Sequence, residues 1–110
     1  MSRQFPDRGD LVWMPFDPQR GHEQAGRRPA LVLSPAVYNR IAGLLICCPI
    51  TSKSKGWKFE VALPPGGKIQ GVVLSDQLKS LDWHARGAEW IEQLDAATVE
   101  AVLERARLLL

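Results

Sequence analysis

The stretch Lys58-Phe59-Glu60-Val61-Ala62-Leu63 decides the fold class. Phe59, Val61 and Leu63 alternate with polar Lys58 and Glu60, the period-2 pattern of a strand with one face buried and one in water. Outward from it, Leu11 to Phe16, Ala30 to Leu33, Leu44 to Ile50 and Val72 to Ser75 are apolar runs of strand length. Each is bounded by Gly, Pro, Asn, Asp or Ser. Strands this short and evenly spaced predict a small barrel or sandwich. Pro64-Pro65-Gly66-Gly67 reads as a turn, and Pro35 to Ile41 has room for one turn of helix.

The period changes at the end of the chain. Asp95 is a candidate N-cap, and Val99, Val102, Leu103, Ala106 and Leu109 recur at helical spacing, which predicts an amphipathic helix packed on the sheet. Arg105 and Arg107 near its end suit the helix dipole. Leu108-Leu109-Leu110 is more leucine than one packed stripe uses, and reads equally as a subunit contact or a frayed apolar tail.

A chain of 110 residues makes one small domain, here residues 1–110. No apolar run is long enough to cross a bilayer, and no basic segment precedes an apolar one at the amino end, so the default location is cytoplasmic. Cys47 and Cys48 are adjacent within an apolar run, without metal-ligand spacing, and read as reduced and strand-embedded. The formal net charge is only +2, but its distribution is uneven. Residues 1–60 hold nine Lys/Arg against five Asp/Glu, and residues 61–110 hold five against seven. A polyanion finds its footing in the first half.

That half contains Gly21-His22-Glu23-Gln24-Ala25-Gly26-Arg27-Arg28-Pro29, a carboxylate and two guanidinium groups in a glycine-punctuated loop before an apolar run. Pro29 fixes the entry to the strand and biases Arg28 toward extended backbone. A guanidinium at that mouth can grip two phosphate oxygens at once. Thr51 ends an apolar run, where a hydroxyl commonly satisfies a turn amide. After it, Lys53, Lys55 and Lys58 interleave with Trp57, a pattern suited to a single strand with stacked bases. Neither His22 nor His84 belongs to a metal or dyad signature, and both read as non-catalytic, with His22, inside that loop beside Glu23, the one closer to being an exception.

Several blocks share an order with a known family. Asp10-Leu11-Val12-Trp13, Phe16-Asp17-Pro18, Glu23-Gln24-Ala25-Gly26, Arg28 to Ser34, Thr51 to Gly56 and Asp76-Gln77-Leu78-Lys79-Ser80 follow one another as in the MazF/PemK toxins. The chain resembles these ribonuclease halves of bacterial toxin–antitoxin pairs along nearly its whole length. The resemblance implies a mainly β fold with a C-terminal helix, a small SH3-like barrel that pairs as a homodimer. It implies a metal-independent, cofactor-free endoribonuclease that cuts single-stranded RNA, chiefly mRNA, through attack of the 2′-hydroxyl. Glu23 would be the base, while Arg28 and Thr51 stabilise the phosphorane. Gln24, Arg27, Ser52, Lys53, Lys55, Trp57 and Gln77 would contact RNA, and Asp76 would be structural. The implied partner is an acidic MazE-like antitoxin, with DNA reached only through the toxin–antitoxin complex and no membrane contact. A non-catalytic barrel that binds nucleic acid or gyrase, as CcdB does, is the rival reading, and the joint presence of Glu23, Arg28 and Thr51 favours the enzyme. An accessory ribosomal barrel should be far more basic than +2.

Overall fold

The structure is a computed structural model and describes residues 4–16 and 27–110. Among the described residues seven strands and two helices follow in chain order: β1 (Asp10–Pro15), β2 (Arg27–Val32), α1 (Ala36–Ala42), β3 (Leu45–Thr51), β4 (Glu60–Ala62), β5 (Val72–Leu74), β6 (Lys79–Leu81), β7 (Glu89–Gln93) and α2 (Ala96–Arg107). The strands form one antiparallel sheet in the order β4-β5-β3-β2-β1-β7, with β6 also pairing to β3.

The central strands are apolar on both faces because both faces are covered. Leu11, Leu31, Cys48, Ile50 and Val73 face one cluster, closed by Val99 and Val102 of α2. Val12, Met14, Ala30, Val32, Leu45 and Cys47 face a second cluster, completed by Leu81 and Trp83. Strands buried on two sides lose the alternating signature and read as continuous apolar runs. Burial pushes both cysteine thiols up to about 12, so Cys47 and Cys48 stay protonated and unreactive at neutral pH.

The expected barrel is open. Among the described residues β4 and β7 end the sheet and do not pair with each other. Val61, Leu63 and Ile91 from those two ends instead share the α2 side of the core with Val99 and Val102, so helix side chains seal the gap that a strand ladder would close. Asp95 caps α2 as expected, accepting from the Thr98 amide at 2.9 Å. Two strands were not anticipated. In β6 only Leu81 is buried, and in β7 only Ile91 is, so neither carries an apolar run for a pattern to find.

β3 changes partner along its length. Leu45, Ile46 and Cys47 pair with β6, whereas Ile50 and Thr51 pair with β5. Pro49, which has no N–H to donate, sits in the interval between these two ladders. The exchange brings β5 alongside the Thr51 end of β3, where the candidate site forms.

Candidate nucleic-acid interface and active site

Arg28 and Thr51 are brought together by strand register. β2 and β3 pair with Ala30 opposite Pro49 and Leu31 opposite Cys48. Because the pair is antiparallel, Arg28 at the start of β2 and Thr51 at the end of β3 emerge at the same end of the sheet. Both line an open groove of roughly 650 Å³ with Lys53, Lys55, Trp57 and Gln77. They also border a second depression of roughly 580 Å³ on the other side, with Trp13, Ser52, Lys53 and Lys68. Arg28, Thr51 and Lys53 therefore form the ridge between two halves of one track.

The segment 52–57 has no regular secondary structure, and side-chain caps hold it. The Glu60 carboxylate accepts from the Ser54 hydroxyl at 2.7 Å and from the Lys55 amide at 3.0 Å. The Thr51 hydroxyl oxygen accepts from the Lys53 amide at 3.2 Å, the turn role expected of a threonine here. That bond occupies the oxygen as acceptor and leaves the hydroxyl proton available to a ligand. Gly56 adopts φ +73, a left-handed conformation that lets the chain turn into Trp57. Trp57 is 48% exposed, with Phe59 against it at 5.5 Å between ring centroids.

The remaining site expectations divide. Glu23, Gln24 and His22 lie outside the described residues. Arg27 lines neither depression: its guanidinium pairs with Glu89 and lies 5.5 Å from the ring centroid of Trp13, which borders the second. β1 runs between β2 and β7, so Pro15 opposite Arg27 and Trp13 opposite Glu89 make this bridge possible. Lys58 offers its carbonyl to Arg105 and does not line the groove. His84 is exposed against the Trp83 ring. Among the described residues no group of three or more His, Cys, Asp or Glu is arranged to hold a metal ion. Two participants were missed from sequence. Glu60 supplies the loop cap, and Asp76, read as structural, lines the groove and accepts from the Trp57 indole N–H at 3.0 Å. Glu60 lies in no quoted motif, and the block that opens with Asp76 does not reveal its partner, because each acts on a backbone or side chain brought near by folding.

The Glu60 cap has a pH signature. The Ser54 hydroxyl, then the Lys55 amide, hold its carboxyl below the ordinary 4.5. A carboxylate with a lowered folded pKa contributes order that is complete above 4.5 and fades as pH falls through the lowered value. The Lys55 amide resonance should therefore titrate with a midpoint below 4.5, and Glu60→Gln should remove the transition. A midpoint at or above the ordinary value would show that the cap does not form in solution.

The sequence matches the PemK-like, MazF-like toxin family of type II toxin–antitoxin systems over residues 7–110. The chain belongs to that family. The endoribonuclease toxin MazF of Escherichia coli (strain K12) is 56% identical over 88 residues, covering 80% of this chain and 78% of that one. Crystalline MazF from Deinococcus radiodurans superposes with a TM-score of 0.88 at 50% identity, covering 97% of each chain. A MazE–MazF crystal structure from the same organism gives 0.85 at 45% identity, covering 97% of this toxin and 96% of that chain.

Proposed function

We propose that this toxin is an endoribonuclease that cuts single-stranded RNA within the groove bordered by Arg28 and Thr51. One observation carries the reading: a guanidinium and a hydroxyl line one groove with Lys53, Lys55 and an exposed Trp57. A phosphate seated at Arg28 leaves room for neighbouring nucleotides on either side of the ridge. Glu23 removes the proton of the adjacent 2′-hydroxyl. The 2′-oxygen bonds to phosphorus, the bond to the 5′-oxygen breaks, and that oxygen takes a proton from solvent water as it leaves. The products are a 2′,3′-cyclic phosphate and a 5′-hydroxyl. Charge accumulates on the non-bridging oxygens as phosphorus becomes five-coordinate, where the Arg28 fork and the Thr51 hydroxyl stabilise it. The role given to Arg28 is electrostatic, since a guanidinium is a donor of hydrogen bonds and not of protons. End-mapping of RNA fragments cut in EDTA tests the chemistry: 5′-hydroxyl and cyclic phosphate ends support it, and 5′-phosphate ends refute it.

The same basic loop is a dock for an acidic antitoxin segment, which would occupy the phosphate position with its own carboxylates. Charge reversal at Lys53 and Lys55 should weaken RNA and such a peptide together. An antitoxin that leaves RNA affinity intact at saturation would refute a shared surface. The toxin acts in the cytoplasm and reaches DNA only within the antitoxin complex. Among the described residues no helix is long and apolar enough to cross a membrane. A homodimer fits the apolar surface beside the end of α2, where Ile46, Leu108, Leu109 and Leu110 are exposed.

A further inference from the structure

We propose that Asp76 is a positioning residue for RNA, fixing the Trp57 indole as a base-stacking platform in the groove without itself moving a proton in the reaction. The inference rests on the single-stranded RNA reading above.

Asp76 is well placed to act as an anchor. It lies in the turn after β5, held by the Ser75 amide donating to the Phe59 carbonyl at 3.0 Å and the Gln77 amide donating to the Leu74 carbonyl at 3.1 Å. Its two carboxylate oxygens face different surroundings. Oδ2 accepts from the Trp57 indole at 3.0 Å, and Oδ1 is buried with no hydrogen-bond partner among the described residues. A general base must reach the proton it removes. Here one oxygen is committed to an indole and the other is closed off, so neither is presented to a 2′-hydroxyl.

Trp57 needs such an anchor. It emerges from an irregular loop directly after a glycine in the left-handed region, so nothing in regular secondary structure holds its ring. Among the described residues two contacts do, the Asp76 carboxylate and the tilted Phe59 ring, while the Trp57 carbonyl accepts from the Glu60 amide at 2.9 Å and fixes the backbone. Only the first grips the indole by direction, through its single N–H donor. An aromatic ring already held in place loses less freedom when a base stacks on it than a swinging one does. Asp76 thereby acts on RNA affinity at a distance of one side chain.

A double-mutant cycle tests this on a labelled single-stranded oligoribonucleotide carrying a site that the parental toxin cuts. Asp76→Ala should raise KM about fivefold and leave kcat within about twofold, the pattern of lost uniform binding. Asp76→Asn keeps an oxygen acceptor and should restore most of the affinity. In the Trp57→Phe background, which has no indole N–H, Asp76→Ala should change KM by less than about twofold. Without RNA, Asp76→Ala should increase acrylamide quenching of tryptophan emission, and the increase should vanish in the double variant. A collapse of kcat in Asp76→Asn with KM preserved would overturn the proposal, since it would assign the carboxylate to proton transfer. An equal KM effect in both backgrounds would also overturn it, as the role would then be general to the fold. Failure of the parental toxin to cut any single-stranded RNA sinks the proposed activity, whereas parental cutting with an additive cycle sinks only the Asp76 role.

Discussion

Arg28→Ala lowers the single-turnover cleavage rate roughly 10²- to 10³-fold, the usual consequence of removing a fixed group that faces transition-state charge. Stability should hardly respond. Arg28 is exposed, and its contribution to the sheet is a backbone position opposite Met14 that alanine preserves. The melting temperature should therefore stay within about 3 °C of the parent. Arg28→Lys keeps the charge but not the planar two-pronged fork, and should recover only part of the lost rate. Glu23→Ala should lose about 10²-fold or more, because a general base contributes on that scale. Thr51→Ala removes one neutral donor and should cost less than either. Cutting by Arg28→Ala at close to the parental rate would remove the guanidinium from the mechanism.

Gly71→Ala is the second large effect, and it acts through backbone alone. Gly71 has φ +128, and an added Cβ would lie 2.2 Å from the Thr51 carbonyl oxygen and 2.9 Å from its carbon. Those atoms belong to a ladder, with Thr51 paired to Val72 and the Gly71 carbonyl accepting from the Leu63 amide. No side chain can rotate away to relieve the contact. β5 must shift from β3 at the point where Thr51 enters the groove. Strain and overpacking together should cost on the order of 2–4 kcal/mol, a fall in melting temperature of about 10 °C or more. Cleavage should fall in the fraction that stays folded, because Thr51 moves. Gly66→Ala is the control, with φ +89 but no atom within 4 Å of its added Cβ. It carries the conformational penalty alone and should melt distinctly higher than Gly71→Ala. Equal melting of the two variants would mean that β5 accommodates the methyl without moving.

Element type was legible wherever burial repeats along the chain. The buried runs in β1, β2, β3 and β5 and the 3.6-residue spacing of α2 report which side chains leave water, and that preference is local. Ends were less legible. β2 starts at Arg27, three residues before its apolar run, because pairing with Met14 and Pro15 extends the strand through charged residues. β6 and β7 were invisible for a related reason: each buries one residue and is held in the sheet by a neighbour's backbone groups. α1 runs over Ala36–Ala42, longer than the single turn expected. Its buried Asn39 ties it to Ser34 and Pro6, contacts that no periodicity encodes.

The chemistry divides in the same way. The sequence alone determined the presence of Glu23, Arg28, Thr51 and a lysine-rich loop with a tryptophan, in an order that marks the family. It also determined that the chain is mainly β with a capped terminal helix. Tertiary structure decided that Arg28 and Thr51 line one groove at the same end of β2 and β3, that Arg27 turns to Glu89 and Trp13, and that the barrel stays open with α2 filling the gap. It alone joined Asp76 to Trp57, 19 residues away, and Glu60 to Ser54. Side-chain type and spacing report the affinity of each residue for water, which is a property of the residue itself. Which polar group meets which depends on strand register and on where β3 exchanges β6 for β5, and those are set by pairing between distant segments.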